Sequence, residues 1–285
     1  MNKELPQFIN HIVSKLQLIE GITAITLGGS RARGNHTNKS DVDLGIYYNP
    51  ENPLDLIALN RLACEIDDNH RVNLITSIGE WGKWINGGGW LRVEGVGVDF
   101  LYRDLAKVNR VIDDCYMGHI TIDYQPGHPH GFVSSIYMGE IAICQVLYDP
   151  DGVLEALKLK TKPYPGQLKQ ITIDTFAWEI SFSLLVAKKA IARNDVAYAA
   201  GCCFRSVACI NQVLFALNED YLLNEKGATA IANRFAICPQ NYQQRVEQAF
   251  ALLAADAKSI TEAIAIIEAI EDDLSQWYGN RRLIM

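Results

Sequence analysis

Two aspartates separated by one residue, Asp41 and Asp43, stand at the start of the apolar run Leu44–Tyr48. In a β-strand, side chains at positions i and i+2 point to the same face of the sheet. Two carboxylates on one face are suitable ligands for a hard cation such as Mg²⁺. The sequence therefore predicts a Mg²⁺ site where this strand begins.

A glycine-rich turn precedes the aspartates. Gly28, Gly29 and Ser30 follow the apolar run Ile22–Leu27, which predicts a strand that ends in this turn. The backbone N–H groups of such a turn can bind a phosphate. Together with the two carboxylates, the turn predicts a site for a metal-nucleotide.

A third acidic residue, Asp99, lies within a later apolar run, Val96–Tyr102. Nucleotidyl transfer with two metal ions usually requires three carboxylates, because one of them bridges the ions. An unpaired carboxylate inside an apolar strand would be costly. We therefore predict Asp99 as the third ligand; the alternative is a strand-edge acid in a surface ion pair.

The composition is typical of a globular protein with sizeable cores: 285 residues, 49% hydrophobic and 21% charged. The net charge of −7 disfavours bulk nucleic acid as a partner. No uninterrupted apolar run approaches the ~20 residues of a membrane span, and residues 1–6 lack the features of a signal peptide. Seven scattered cysteines are typical of reduced thiols. We expect a cytoplasmic protein without a membrane partner.

Hydrophobic periodicity predicts two domains, 1–155 and 156–285. The first mixes strands with helices, and the second is helical throughout. The predicted strands of the first domain are 22–27, 42–48, 72–76 and the hairpin 91–93 and 96–102, and its predicted helices are 3–19, 53–68, 104–117 and 132–144. The predicted helices of the second domain are 167–193, 196–217, 228–235, 240–254 and 259–278.

The motifs resemble a known signature. Gly29-Ser30, ten intervening residues, Asp41-Val42-Asp43-Leu44 and a later strand aspartate are similar to the signature of the DNA polymerase β-like nucleotidyltransferase superfamily. The form Gly-Ser-Arg-Ala-Arg-Gly at 29–34 resembles its minimal members and the aminoglycoside and lincosamide nucleotidyltransferases. The resemblance covers about residues 22–102. It implies an α+β fold, in which a catalytic domain with a small mixed sheet precedes an all-α helical bundle that forms the other wall of a cleft.

The resemblance also implies a donor substrate and its binding residues. The donor would be a nucleoside triphosphate, usually ATP. The nucleotide-binding residues that it implies are those of the turn and two arginines after it: Gly28, Gly29, Ser30, Arg31 and Arg33. For each arginine, a solvated loop side chain is the alternative.

The implied reaction transfers a nucleoside monophosphate to a hydroxyl and releases pyrophosphate, with Mg²⁺ bound by Asp41, Asp43 and Asp99. The general base is either Asp99 itself or a glutamate outside the metal trio, Glu179 or Glu140. The apolar helix around Glu179 is an environment that can raise the pKa of a carboxyl group toward a useful value. An ordinary acid on a helix surface is the alternative for both glutamates.

Two loops outside the motif carry side chains that could contact a ligand. The tryptophans of residues 81–90 could stack on a base or a sugar, or pack in a loop or core. The histidines of residues 125–131, with His119 and Cys115 nearby, match no strong zinc pattern. A loop whose histidines contact the substrate, or nothing, is the favoured interpretation.

The favoured function is transfer of AMP from ATP to a hydroxyl of a small, antibiotic-like molecule, since an acidic protein attracts cationic acceptors. One alternative is nucleotidyl modification of a protein or tRNA in a toxin–antitoxin-like role. The helical half has no histidine, which excludes an arginine–histidine ribonuclease motif there. A non-catalytic nucleotide-binding module is the other alternative. The apolar helical half could also support a homodimer.

Overall fold

The structure is a computed structural model that describes residues 6–37 and 40–278. The chain forms two compact units. The first unit comprises residues 1–114 and 137–163, and the second comprises 115–136 and 164–285. The chain therefore passes between the units three times. The domain boundary after residue 155 stays a prediction.

Five of the strands form a mixed sheet in the first unit, which confirms the predicted α+β fold. The order across this sheet is third, fourth, second, first and seventh strand. Only the second and fourth strands pair in parallel; the other neighbours are antiparallel. The fifth and sixth strands pair with each other in the second unit. The strands in the described part of the chain are β1 (Ile22–Leu27), β2 (Val42–Tyr48), β3 (Gly88–Val93), β4 (Val96–Asp104), β5 (Ile122–Asp123), β6 (Phe132–Val133) and β7 (Gln145–Tyr148).

Two helices cover the apolar face of the sheet, a third is anchored to the opposite face, and helices also build the second unit. Several begin at an aspartate whose side chain accepts backbone N–H bonds; Asp55, for example, accepts from Ile57 and Ala58. A 3₁₀ segment, Lys188–Arg193, follows the eighth helix. The helices are α1 (Gln7–Leu16), α2 (Gly29–Arg33), α3 (Leu56–Ile66), α4 (Gly82–Ile85), α5 (Leu105–Tyr116), α6 (Ile136–Ile143), α7 (Val153–Lys160), α8 (Gly166–Ala187), α9 (Val196–Leu217), α10 (Ala228–Ala232), α11 (Tyr242–Leu252) and α12 (Ala257–Ser275).

The sheet has one apolar face and one more polar face. Val42, Leu44 and Ile46 of β2 alternate with Asp43 and Gly45, and only the first set is fully buried. The buried set joins the apolar residues of α1 and α3 in the core of the first unit. Burial of this face fixes the strand register, because a slip of one residue would exchange the two faces. Asp43 is thereby directed to the face opposite α1 and α3.

Helices α8 and α9 form the centre of the second unit, and most residues of α9 are buried. By length and composition α9 could cross a membrane, although it contains no uninterrupted apolar run of that length. However, 72% of its most apolar window is buried inside the unit. A mostly buried α9 is what the core helix of a globular unit requires.

Three local predictions were wrong. Residues 72–76 form no strand, only an isolated bridge from Ile75 to Gly89, and Asn73 has a positive φ of 57°. Residues 88–90 were predicted as loop but belong to β3, where a side chain at Gly88 would meet the backbone of Phe100. The predicted helix 132–144 begins at 136 and leads into β7, because a short apolar run alone does not distinguish helix from strand.

A buried carboxylate fixes the β3–β4 hairpin to the end of α3. Asp67 accepts hydrogen bonds from the guanidinium of Arg71 (2.6 and 3.0 Å) and from the N–H of Arg92 in β3 (3.0 Å). Asp68 accepts both N–H groups of the turn at 94–95. Arg71, and then the backbone donors, hold the pKa of Asp67 well below its ordinary value, against the effect of burial.

We expect Asp67→Asn to lower the free energy of unfolding by roughly 2 kcal/mol at neutral pH, because a buried hydrogen-bonded charge is lost. The folded pKa of Asp67 lies below its unfolded value. The wild-type protein therefore loses this contribution as the pH falls below about 4. The free energies of unfolding of the two proteins then converge. Urea unfolding across this pH range measures the effect.

Asp114→Asn, at an exposed position of α5, is the matched control and should change stability by less than about 0.5 kcal/mol. A constant difference between Asp67→Asn and wild type at every pH would contradict the assignment.

Candidate active site

Asp43 and Asp99 lie side by side in the sheet. The parallel register of β2 and β4 pairs Asp43 with Asp99, so both side chains point to the same face. Asp41 immediately precedes β2, two residues before Asp43. Its carboxylate lies over Gly97 of β4, where an added Cβ would be 2.3 Å from Asp41 Oδ1. The structure thus brings the three predicted carboxylates to the start of β2 on one face.

The lack of a side chain at Gly29 is required by the position of Asp43. Gly29 has a φ of +59°, in the left-handed region that favours glycine. A Cβ there would lie 1.9 Å from Asp43 Oδ2. The turn after β1 and the carboxylate on β2 are therefore in direct contact.

The turn presents backbone donors next to Asp43. Gly28 donates its N–H to the carbonyl of Asp43 (2.8 Å), so this donor is engaged within the sheet. Gly29 and Ser30 begin α2, and the first N–H groups of a helix have no partner within the helix. We therefore expect the N–H groups of Gly29 and Ser30, rather than that of Gly28, to bind a phosphate.

Arg31 stabilises the connection between the turn and β2. Its Nε donates to the carbonyl of Asp41 (3.0 Å), and its Nη2 donates to the carbonyl of Ser40 (2.7 Å). These bonds hold the backbone of Asp41 beside α2. Arg33, at the end of α2, is partly exposed. Phosphate binding by either arginine stays a prediction.

An exposed aromatic pair lies beside Asp99. Trp90 of β3 is paired with Asp99 across the antiparallel β3–β4 ladder, so the two side chains share a face. Trp90 is 62% exposed, and its ring stacks on Trp81 at 4.5 Å between centroids. Trp84 is buried and packs edge-to-face on Tyr137. Core packing is therefore the role of Trp84, whereas Trp81 and Trp90 form an accessible surface.

Comparison with known families identifies residues 7–84 of the first unit. Residues 7–84 match the family model described as "Nucleotidyltransferase domain". This part of the chain belongs to a nucleotidyltransferase domain. It contains the turn, Asp41 and Asp43, and Asp99 follows on the strand that pairs with β2. The predicted membership of the polymerase β-like superfamily is confirmed, and nucleotidyl transfer is the activity of such a domain.

The other matches to families and solved structures do not assign a function to the chain. Residues 135–226 match a model described as "Domain of unknown function (DUF4037)". No curated protein matches the chain. A solved nucleotidyltransferase-like protein from Exiguobacterium sibiricum 255-15 is 10% identical, with a TM-score of 0.43, and the alignment covers 95% of this chain and 78% of that one. The family assignment rests on the sequence match at residues 7–84.

Both glutamates predicted as alternative bases are engaged in ion pairs. Glu140 of α6 accepts from buried Arg103 of β4 through both oxygens (2.7 and 2.6 Å), which anchors α6 to the sheet of the nucleotidyltransferase domain. Burial would lower the pKa of Arg103, but Glu140 outweighs it and raises this pKa. Glu179 of α8 lies in the second unit, buried and paired with Arg205. Neither glutamate is identified as the base by these contacts.

Sequence reasoning missed Gly97 and the stacking of Trp90 on Trp81. A glycine two residues before a strand carboxylate is a usable signal, since it leaves room for a neighbouring side chain. The aromatic pair could not be derived, because it depends on the register of β3 against β4.

We expect Gly29→Ala to weaken Mg-ATP binding at least roughly 10-fold, because the new Cβ displaces the Asp43 carboxylate. Gly34→Ala is the matched control: Gly34 also has a positive φ (+79°), but an added Cβ meets nothing within 4 Å. Both variants should lose about 1 kcal/mol of stability from the strained backbone. Titration calorimetry and thermal unfolding measure the two effects, and equal binding losses in both variants would exclude the Asp43 contact as the cause.

Proposed function

We propose that the chain catalyses Mg²⁺-dependent transfer of AMP from ATP to a hydroxyl of a small molecule, with release of pyrophosphate. The observation that carries this proposal is the register of Asp43 against Asp99, with Asp41 on the same face and Gly29 in contact with Asp43. This arrangement supports a carboxylate trio next to a phosphate-binding turn.

The donor set fits Mg²⁺. Asp41, Asp43 and Asp99 offer only oxygen atoms, which are the ligands that Mg²⁺ prefers. Gly29 and Gly97 leave the space that the carboxylates of Asp43 and Asp41 fill. Bound Mg²⁺ would supply neutralisation of the charge on the triphosphate and on the departing pyrophosphate.

The residues of the turn would position the donor nucleotide. The N–H groups of Gly29 and Ser30 and the hydroxyl of Ser30 would hold phosphate oxygens, so that the α-phosphorus faces the carboxylates. The acceptor oxygen then bonds to this phosphorus, and the bond from phosphorus to the pyrophosphate oxygen breaks. Asp99 would accept the proton of the acceptor hydroxyl. General bases of this kind contribute roughly 10²–10⁴-fold to the rate.

The aromatic pair supports a ring-containing, cationic acceptor. Trp90 and Trp81 offer a flat, accessible surface beside Asp99. Aromatic faces stack on rings and attract cations. The net charge of −7 favours the same kind of acceptor.

We also infer a cytoplasmic enzyme, since the seven cysteines, all in the described part of the chain, form no disulfide with one another. A homodimer is part of the proposal. Helix α8 exposes the apolar side chains of Trp178, Phe182 and Leu185, and an apolar patch on a helix is a common subunit contact.

Asp43→Asn should reduce pyrophosphate release from ATP by roughly 10³-fold, because a Mg²⁺ ligand supplies several kcal/mol of transition-state stabilisation. The assay uses the full chain, Mg²⁺, each of the four nucleoside triphosphates and a panel of hydroxylated acceptors. Asp114→Asn should match wild type. Retained turnover in Asp43→Asn would contradict the metal assignment, and label on protein or tRNA alone would favour the alternative acceptor class.

Trp90→Ala should raise the KM for the acceptor about 10-fold and leave the KM for ATP unchanged, since one stacking surface is lost. Stability should change little because Trp90 is exposed. Trp90→Phe keeps an aromatic face and should retain most of the affinity. If Trp90→Ala and wild type have the same acceptor KM, the aromatic pair does not form the acceptor site.

A further inference from the structure

The second unit contains a buried cluster of three side chains whose types can bind a metal ion. His130 precedes β6, Glu179 lies on α8 and Cys209 lies on α9. One ligand atom from each lies within 4.8 Å of the other two. The three residues are only 7%, 8% and 0% exposed, in that order. The cluster therefore combines nitrogen, oxygen and sulfur donors in a largely dry environment.

The spacing of the sulfur and nitrogen donors matches ligands of one ion. Cys209 Sγ lies 3.6 Å from His130 Nε2. Zn–S bonds of about 2.3 Å and Zn–N bonds of about 2.0–2.1 Å, at a tetrahedral angle, separate the two donors by about 3.6 Å. The separation of these two atoms is therefore the one expected for two ligands of a single ion.

Two of the three side chains interact with further residues around the cluster. Burial, together with the charge of Arg205, lowers the pKa of His130. The backbone N–H of His130 donates to Glu225 (2.8 Å) and fixes the loop. Arg205 pairs with one oxygen of Glu179 through Nε. Outer partners of this kind orient a ligating carboxylate.

Cys209 must change its protonation state to bind a metal. Burial, and then the charge of Glu179, raise the pKa of the Cys209 thiol. Without metal, Cys209 is therefore a neutral thiol at physiological pH. Metal binding replaces the S–H bond by a sulfur–metal bond, and the proton leaves to the solvent.

A surface pocket adjoins the cluster. It has a volume of about 490 Å³ and is lined by residues 122–131 and Arg205. His130 belongs to both the pocket and the cluster. Three protein ligands with a fourth position open to water or a small ligand are typical of non-structural zinc sites, whereas structural sites have four.

We propose that His130, Glu179 and Cys209 bind one Zn²⁺ ion, or a similar borderline-soft divalent cation, with the fourth position open to this pocket. A thiolate and an imidazole select such ions over Mg²⁺. The site therefore takes a different class of metal from the oxygen-only site of Asp41, Asp43 and Asp99, and it does not depend on the nucleotidyl transfer reaction.

Cobalt substitution of the full-length protein tests the proposal. After removal of metals by a chelator, titration with Co²⁺ should give a sulfur-to-cobalt charge-transfer band that saturates at one equivalent, and Zn²⁺ should abolish it. The aspartate site has only oxygen ligands and cannot produce this band. Cys209→Ser should lose the band. Cys203→Ser, at another fully buried cysteine of α9, should keep it.

His130→Asn provides a second variant should Cys209→Ser fail to fold, as judged by circular dichroism. It should weaken Zn²⁺ binding by at least roughly 100-fold, more than the loss of an outer partner costs. No sulfur-to-cobalt band in wild type, or an unchanged band in Cys209→Ser, would overturn the proposal. The three residues would then form a hydrogen-bonded network only.

Discussion

The parallel pairing of β2 with β4 is the constraint on which the first unit depends. It places Asp43 next to Asp99, and it is the only parallel pair in the five-stranded sheet. Parallel neighbours cannot be joined by a tight turn, so the chain must leave the sheet between them. The intervening segment supplies α3, α4 and β3. The long connection that parallel pairing requires thus also supplies residues that lie around the site.

One face of this sheet packs in the core, and the other face carries the residues of the site. Apolar side chains of β2 and β4 bury themselves against α1 and α3, and this burial sets the register. The opposite face carries the carboxylates at one end and the ion pair of buried Arg103 with Glu140 farther along β4. Glycines at 29 and 97 keep that face open where the carboxylates lie. The chemistry of the site therefore uses positions that the core does not need.

The apolar runs were sufficient to predict β1 and β2 with their observed bounds, since both runs lie between clear turn residues. Asp99 was predicted because a carboxylate is costly in an apolar strand. The sequence could not reveal β7, because its short run pairs with β1, a strand far away along the chain. It also could not bring His130 to Cys209, because no local pattern reports a contact between residues 79 positions apart.

Because the chain passes between its two units three times, neither unit is a continuous segment. Residues 115–136, which include β5, β6 and His130, belong to the second unit, although part of the first unit follows them in the chain. The matched segment 135–226 likewise combines residues of both units. No single cut of the chain yields either unit complete. Neither unit can thus be expressed alone as one contiguous segment of the chain.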